Sequence, residues 1–269
     1  TRRANVGIQV DQGFNGTIRY AFLYKPKLGI NYTMSLNFRY GKAYYDEIGR
    51  KLDQYNQENL TKNMVRYYDG GSPTALWAVR SRGIDPATGK EIFVKKDGTL
   101  TYDFDYNDEV ELGDTRPTLE GVWGNTFYWK GFSAALHVRY SFGADAFNTT
   151  LFNKVENISF ESLTTNQDKR ALYNRWKKPG DKAKFKSISL TDATPMSSRF
   201  VMKENYIEIE SVNIGYQFNA GRLKKTLGIS SMSINAYMNS IARFSTLEDE
   251  RGIYYPFARS ISFALSIIL

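Results

Sequence analysis

The C-terminal stretch Ala258-Arg-Ser-Ile-Ser-Phe-Ala-Leu-Ser-Ile-Ile-Leu269 constrains the fold more than any other part of the chain. Ile261, Phe263, Leu265, Ile267 and Leu269 alternate with Ser260, Ser262, Ala264, Ser266 and Ile268. A period of two is the signature of a β-strand, whose successive side chains point to opposite faces. A soluble strand with one wet face usually carries charges there, whereas this second face is small and uncharged. Large apolar groups on one side and small polar ones on the other suit a strand with lipid outside and a lumen inside. Roughly 9–11 residues of tilted strand cross a bilayer, and this stretch is that long. The pattern reads as the closing strand of an outer-membrane β-barrel.

Composition fits that expectation. There is no cysteine, which excludes disulfides and thiolate metal sites, and a single histidine, His137, which excludes histidine-cluster metal sites. Mean hydropathy is −0.47 and no long apolar run is present, so no transmembrane helix is expected. A barrel is compatible with this, because only alternate strand residues face lipid. Aromatic residues make up 15% of the 269-residue chain, enough for aromatic girdles at two membrane interfaces. The formal charge of +8 is spread through loops and does not form a stripe, so no nucleic-acid partner is expected. The chain begins at Thr1 without a signal peptide, as a mature exported protein or a fragment would.

The same alternation recurs upstream. Phe14, Gly16, Ile18, Tyr20, Phe22 and Tyr24 form an apolar face, followed by the turn Lys25-Pro-Lys-Leu-Gly29 and a second strand with Tyr32, Met34, Leu36, Phe38 and Tyr40 outward. A second hairpin runs from Leu119 to Gly143 and turns at Lys130-Gly131. Phe132, Ala134, Leu136, Val138, Tyr140 and Phe142 lie on one side of its second strand, but the faces of Val122–Trp129 cannot be separated. Tyr206–Phe218 is a further strand whose phase slips between Ile209 and Val212, which predicts a β-bulge at Glu210-Ser211. A turn with Gly221 and Gly228 leads to Met232, Ile234, Ala236 and Met238, and a loop through Tyr254-Tyr255-Pro256 leads to the last strand. Between the hairpins, residues 41–117 and 144–198 lose the pattern and read as long polar loops. The count is seven strands, with short turns alternating with long loops. Seven strands cannot close a barrel, whose smallest single-chain form has about eight, so further polypeptide must complete the wall.

Several ordered motifs carry a family resemblance. Gly83-Ile-Asp-Pro-Ala-Thr-Gly89, Gly124-Asn-Thr-Phe-Tyr-Trp-Lys-Gly-Phe132, Asn174-Arg-Trp-Lys-Lys-Pro-Gly-Asp181, Ser198-Arg-Phe-Val201, Tyr206-Ile-Glu-Ile-Glu-Ser-Val-Asn-Ile-Gly-Tyr-Gln-Phe218 and Leu227-Gly-Ile-Ser-Ser231 resemble the C-terminal part of SusC/RagA-type TonB-dependent transporters. The resemblance implies an all-β, antiparallel transmembrane barrel of 22 strands, of which residues 1–269 supply the C-terminal part with short periplasmic turns and long extracellular loops. It implies a multi-pass protein of the bacterial outer membrane that is no enzyme and imports large nutrients, glycans or oligopeptides. The implied partners are the remaining barrel and plug polypeptide, a SusD-like lipoprotein lid, TonB-ExbB-ExbD acting through the plug, surrounding lipid and lipopolysaccharide, and a homodimer of the transporter–lipoprotein pair. The family usually ends in an aromatic residue; this chain ends in Leu269. The other reading is a passive porin or a structural barrel anchoring a surface complex, and a plug-like sequence before Thr1 in the intact gene would separate the two.

Three constellations bear on chemistry. Asp103, Asp105, Asn107 and Asp114 fall at positions 1, 3, 5 and 12 of an EF-hand-like loop, with the Glu109 carbonyl at position 7. Calcium is the cofactor this spacing suggests, although Asp108 stands where glycine makes the sharp turn, and a solvated acidic loop is the plainer reading. No other cofactor is expected. Arg19, Arg39, His137 and Arg139, with Asn235 and Tyr237, fall on predicted lumen faces, either as a lining for anionic substrate groups or as partners for acids of a plug. Tyr24, Trp129, Tyr216, Phe218, Tyr40, Tyr140, Phe142, Tyr254 and Tyr255 fall near strand ends and read as girdle residues rather than sugar platforms.

Overall fold

The computed structural model describes residues 5–218, 221, 225, 228–247 and 259–268. The strands are β1 (Ile8–Lys25), β2 (Ile30–Asp46), β3 (Ala75–Ile84), β4 (Glu91–Val94), β5 (Leu100–Thr101), β6 (Glu109–Asp114), β7 (Leu119–Trp129), β8 (Phe132–Phe147), β9 (Val201–Gln217), β10 (Ser231–Ser245) and β11 (Ile261–Ile268). The regular structure of the described residues also includes two short α-helices, α1 (Asp53–Asn59) and α2 (Lys169–Tyr173), several short 3-10 turns and a π-helical turn at Leu151–Glu156. No described helix is long and apolar enough to cross a membrane.

Seven strands form one sheet in the order β1-β2-β7-β8-β9-β10-β11. The resolved ladders β2–β7, β7–β8, β9–β10 and β10–β11 are antiparallel. The expected hairpins are present, and their turns follow from local chemistry. Pro26–Leu28 make a 3-10 turn ended by left-handed Gly29 at φ 65°. Lys130 and Gly131 both have positive φ, the two-residue turn whose twist matches that of its strands. The turn from β9 to β10, like Leu269, Tyr254 and Tyr255, falls wholly or mostly outside the described residues.

Register sorts the side chains. Tyr32, Leu36, Phe38 and Tyr40 of β2 line up with Phe127, Trp123, Gly121 and Leu119 of β7, and these with Ala134, Val138, Tyr140 and Phe142 of β8. This ladder resolves the faces of β7 that sequence alone left undecided. The opposite face carries Thr33, Ser35 and Arg39 beside Thr126, Gly124 and Glu120, and then Ala135, His137 and Ser141. In β9 to β11 the same division puts Ile214, Ile234, Ala236, Phe263 and Leu265 on one side and Asn213, Asn235, Tyr237, Ser262 and Ser266 on the other.

A register shift is present beside the predicted position, but its extra residue is in β10: one residue of β9, Glu210, stands between the pairs Ser211–Asn239 and Ile209–Ala242, against two of β10, Ser240 and Ile241. Adjacent Glu210 and Ser211 both bond to one face of β8, Glu210 to Arg139 and Ser211 to His137. Next to them the β9–β10 ladder shifts register between Asn239 and Ala242, where Ser240 has φ 48°. The bulge of the β9–β10 ladder is therefore carried by β10 at Ser240-Ile241, not by an extra residue at Glu210-Ser211 of β9.

Residues 5–12, 42–116 and 144–203 form a separate compact unit, where the sequence pattern suggested irregular loops. It contains a four-stranded sheet in the order β5-β4-β3-β6. β3 was missed because Ala75, Leu76, Ala78 and Val79 are all buried, so this strand has no wet face to produce an alternation. One core cluster gathers Val155, Ala171, Phe185 and Phe200, and another Met64, Leu76 and Ala78 with Leu112, Phe147, Met196 and Val201 around it. Buried ion pairs tie the unit together. Arg66 grips both carboxylate oxygens of Glu109 at 2.7 and 2.8 Å and donates to the carbonyls of Asn63, Val65 and Leu60. Arg199 bridges Glu91 at 2.8 Å and Glu156 at 2.6 Å.

Candidate functional site

The seven-stranded sheet is the candidate site, and its two faces have different chemistry. On the apolar side Tyr24 is 71% exposed, Phe263 76% and Leu265 59%, alongside exposed Ile18, Tyr20, Phe22, Ile214, Tyr216 and Ile234. A continuous apolar surface carried by seven strands far exceeds the scattered exposed hydrophobics of an ordinary soluble surface. Aromatic contacts run along it: Phe14 stacks on Tyr40, Phe22 on Tyr32, and Tyr140 on Phe142.

The polar side holds the residues singled out from the sequence. Arg39 meets its cross-strand partner Glu120 at 3.5 Å, and Arg139 meets Glu210 at 2.5 Å. His137 Nδ1 lies 3.1 Å from Ser211 Oγ. Thr17 donates to Asn37 at 2.8 Å, which places the odd residues of β1, Arg19 among them, on this face. Arg19 is exposed and makes no ion pair among the described residues. Asn235 and Ser133 both lie against Gly215, and His137 and Ser35 both lie against Gly124. A side chain at either glycine would collide with these groups, so the glycines make room for polar side chains to pack flat on the sheet. Tyr237 aligns with Asn213, whose Oδ1 is buried without a protein donor. Two of the basic residues are thus already neutralised by carboxylates of the same sheet, a pairing that local pattern could not reveal. The His137–Ser211 contact has no carboxylate on the second ring nitrogen among the described residues, so the three-member relay of a serine hydrolase is not assembled.

Several side chains of the acidic segment have partners within the protein. Asp105 accepts from the backbone and side-chain nitrogens of Asn107, both at 2.9 Å. The Glu109 carboxylate is taken by buried Arg66, and Asp114 accepts from Thr74 Oγ1 at 2.5 Å and from the Arg116 amide at 2.8 Å. Glu109–Asp114 is the extended strand β6, so the backbone that leads to Asp114 runs straight. An EF-hand loop needs the chain to curl back at this point. Among the described residues, no three carboxylate or imidazole groups are arranged to hold a metal ion.

A seven-stranded sheet, antiparallel in each resolved ladder, with one exposed apolar face and one polar face has the pattern expected of a stretch of β-barrel wall. The comparisons point the same way. No protein-family model matches the chain. TonB-dependent receptor P39 of Formosa agariphila is 26% identical over 163 residues, 60% of this chain and 15% of that protein. The RagAB peptide transporter has the same fold, with a TM-score of 0.72 at 17% identity over 90% of this chain and 26% of that one. The RagAB peptide importer in its open-open state gives a TM-score of 0.74 over 97% of this chain and 28% of that one. The chain therefore resembles part of a TonB-dependent receptor in sequence and part of the RagAB transporter in fold, and these similar proteins are a receptor and importers, not enzymes. It spans about a seventh of the length of the first and about a quarter of the second.

Proposed function

We propose that the chain is the C-terminal portion of the wall of a TonB-dependent outer-membrane importer, about the last seven of 22 strands. The observation that carries this reading is the two-faced sheet with its open edges. β1 and β11 end the strand order, so each presents a row of backbone N–H and C=O groups to no described neighbour. In hydrocarbon each unsatisfied group costs several kcal/mol, so the sheet is completed by strands outside these residues. Short turns such as Lys130-Gly131 lie at the periplasmic ends, and the long excursions between β2 and β7 and between β8 and β9 lie outside the cell. The apolar face meets lipid and lipopolysaccharide, and the polar face with Arg19, Arg39, His137, Arg139, Asn235 and Tyr237 lines the lumen around a plug.

Import of large nutrients is supported by the likeness to a TonB-dependent receptor and to a transporter described as moving peptides. Oligopeptides or glycans are the cargo class, a SusD-like lipoprotein is the lid, and TonB with ExbB and ExbD supplies the pull through the plug. The transporter–lipoprotein pair forms a homodimer. The test is uptake by cells carrying the intact protein, with and without TonB. Uptake should stop without TonB. Undiminished size-limited flux would overturn the importer and indicate a passive porin.

A further inference from the structure

Beside the buried pair of Arg199 with Glu91 and Glu156, a cavity of about 370 Å³ opens between the residues around 156–160 and 186–193. Its volume sits at the small end of the range for small-molecule sites, about 300–1,000 Å³. Ile158, Phe160, Ile188 and Leu190 give it an apolar lining, with Phe160 and Ile188 exposed at the rim. Arg175 and Lys186 line it from the protein side, and both are buried.

The charges around this cavity do not balance. Glu156 Oε1 is taken by Arg199 and by the Thr194 hydroxyl, while Oε2 accepts the Lys186 backbone amide. Glu91 is taken by Arg199 and by the Ser197 hydroxyl. Arg199 is thus shared by two carboxylates, and neither carboxylate forms a salt bridge with Arg175 or Lys186. Those two cations rest on neutral carbonyls instead: Arg175 on Ala171, Val155, Glu156 and Lys186, and Lys186 Nζ on Asp192. Three buried cations therefore face two buried carboxylates, and the only further negative charge acting on Lys186 among the described residues is the solvent-exposed carboxylate of Asp192. Burial, with the neighbouring guanidiniums of Arg175 and Arg199, holds the Lys186 ammonium below the usual lysine range despite the attraction of Glu156 and Asp192. An uncompensated buried charge is costly unless a partner reaches it.

We propose that this cavity is a binding site for a small apolar monocarboxylate. Its carboxylate sits toward Lys186 and Arg175 and supplies a third buried negative charge inside the cavity. Its branched or aromatic body lies against Ile158, Phe160, Ile188 and Leu190. The volume limits the body to a short chain or a single ring, and the apolar lining disfavours free inorganic anions.

The test is calorimetric titration of the intact purified protein with 3-phenylpropanoate, its neutral amide 3-phenylpropanamide, and acetate. The acid should bind saturably and at least tenfold more tightly than the amide or acetate. Lys186→Met should cancel the preference for acid over amide. Ile188→Ser, at a rim position that leaves the buried network intact, should weaken the acid without restoring the amide. Equal affinity for acid and amide in the unsubstituted protein would overturn the site, as would the absence of saturable binding by any of the three. Acetate binding as tightly as the acid would overturn the apolar half. If Lys186→Met fails to fold, the acid–amide comparison and Ile188→Ser decide alone.

Discussion

The Tyr140 hydroxyl donates a 2.9 Å hydrogen bond to the backbone carbonyl of Asn37, two strands away. It gets there by lying across Gly121, the cross-strand neighbour of both Phe38 and Tyr140. The glycine removes a side chain, and the tyrosine covers the gap and satisfies a carbonyl on the apolar face. Tyr140→Phe should keep the cover and lose the bond, lowering stability by about 1 kcal/mol. Gly121→Ala should be worse, because its methyl would meet the Asn37 carbonyl. Thermal unfolding of the detergent-purified protein ranks the two; equal midpoints would mean that Tyr140 does not depend on the glycine.

Facing can be tested at the last strand. Leu265 aligns with Ile234, and Ser266 with Ser233. A charge on the lipid side of such a wall costs about 2–4 kcal/mol at the midplane. Leu265→Arg should therefore block assembly while Ser266→Arg assembles normally, as read by surface protease protection in cells. Similar assembly of the two would mean that the lipid side is assigned wrongly.

Removing Arg199 should leave Glu91 and Glu156 buried without their shared cation, whereas the unsubstituted side chain is held above the usual arginine range by these two acids despite its burial. Breaking such a pair costs about 3–5 kcal/mol. Arg199→Met should open the unit to limited proteolysis between residues 148 and 200. Cleavage no faster than in the parent protein would show that the network is dispensable.

The acidic segment gives a metal test. Glu109→Gln should destabilise its unit with or without calcium, because the loss falls on buried Arg66. Asp103→Ala, at an exposed position, should be silent. A melting point raised by calcium in the parent protein and not in Asp103→Ala would restore the calcium reading.

Acid should loosen α2. Arg170, through its side-chain hydrogen bond, holds the Asp168 carboxyl below the usual aspartate range, and Asp168 also caps the helix by accepting the Arg170 amide at 2.8 Å. A depressed folded-state value means this contribution is present above the unfolded aspartate range and is lost as pH falls through the lowered value. Amide exchange at Arg170 should speed up on acidification, relative to the intrinsic rate, in the parent but not in Asp168→Asn. A flat difference between them would remove the cap from the account.

What could be read from sequence was whatever kept one face wet or greasy along a whole strand. β2, β8, β10 and β11 announce themselves because each side chain reports its own face. β3 does not, since Val79 and Leu76 are both buried on opposite sides. Nor do Arg66 with Glu109, or Arg199 with Glu91, because these partners are 43 and 108 positions apart and nothing local marks them. The spacing from Asp103 to Asp114 carries limited information for a related reason: intervals between oxygens say nothing about whether the backbone between them curls or runs straight.

The shared guanidinium of Arg199 has a consequence for how such a chain can change over generations. Glu91 comes from the excursion between β2 and β7, while Glu156, Ser197 and Arg199 come from the one between β8 and β9. Each excursion thus holds part of one buried lock, while β2 and β7 keep an unbroken register from Ile30 to Tyr40. A transplant of either excursion alone would strand charges in the interior of the other. The two would have to be exchanged as one cassette, so new surface specificities on a wall of this kind would arise by paired replacement.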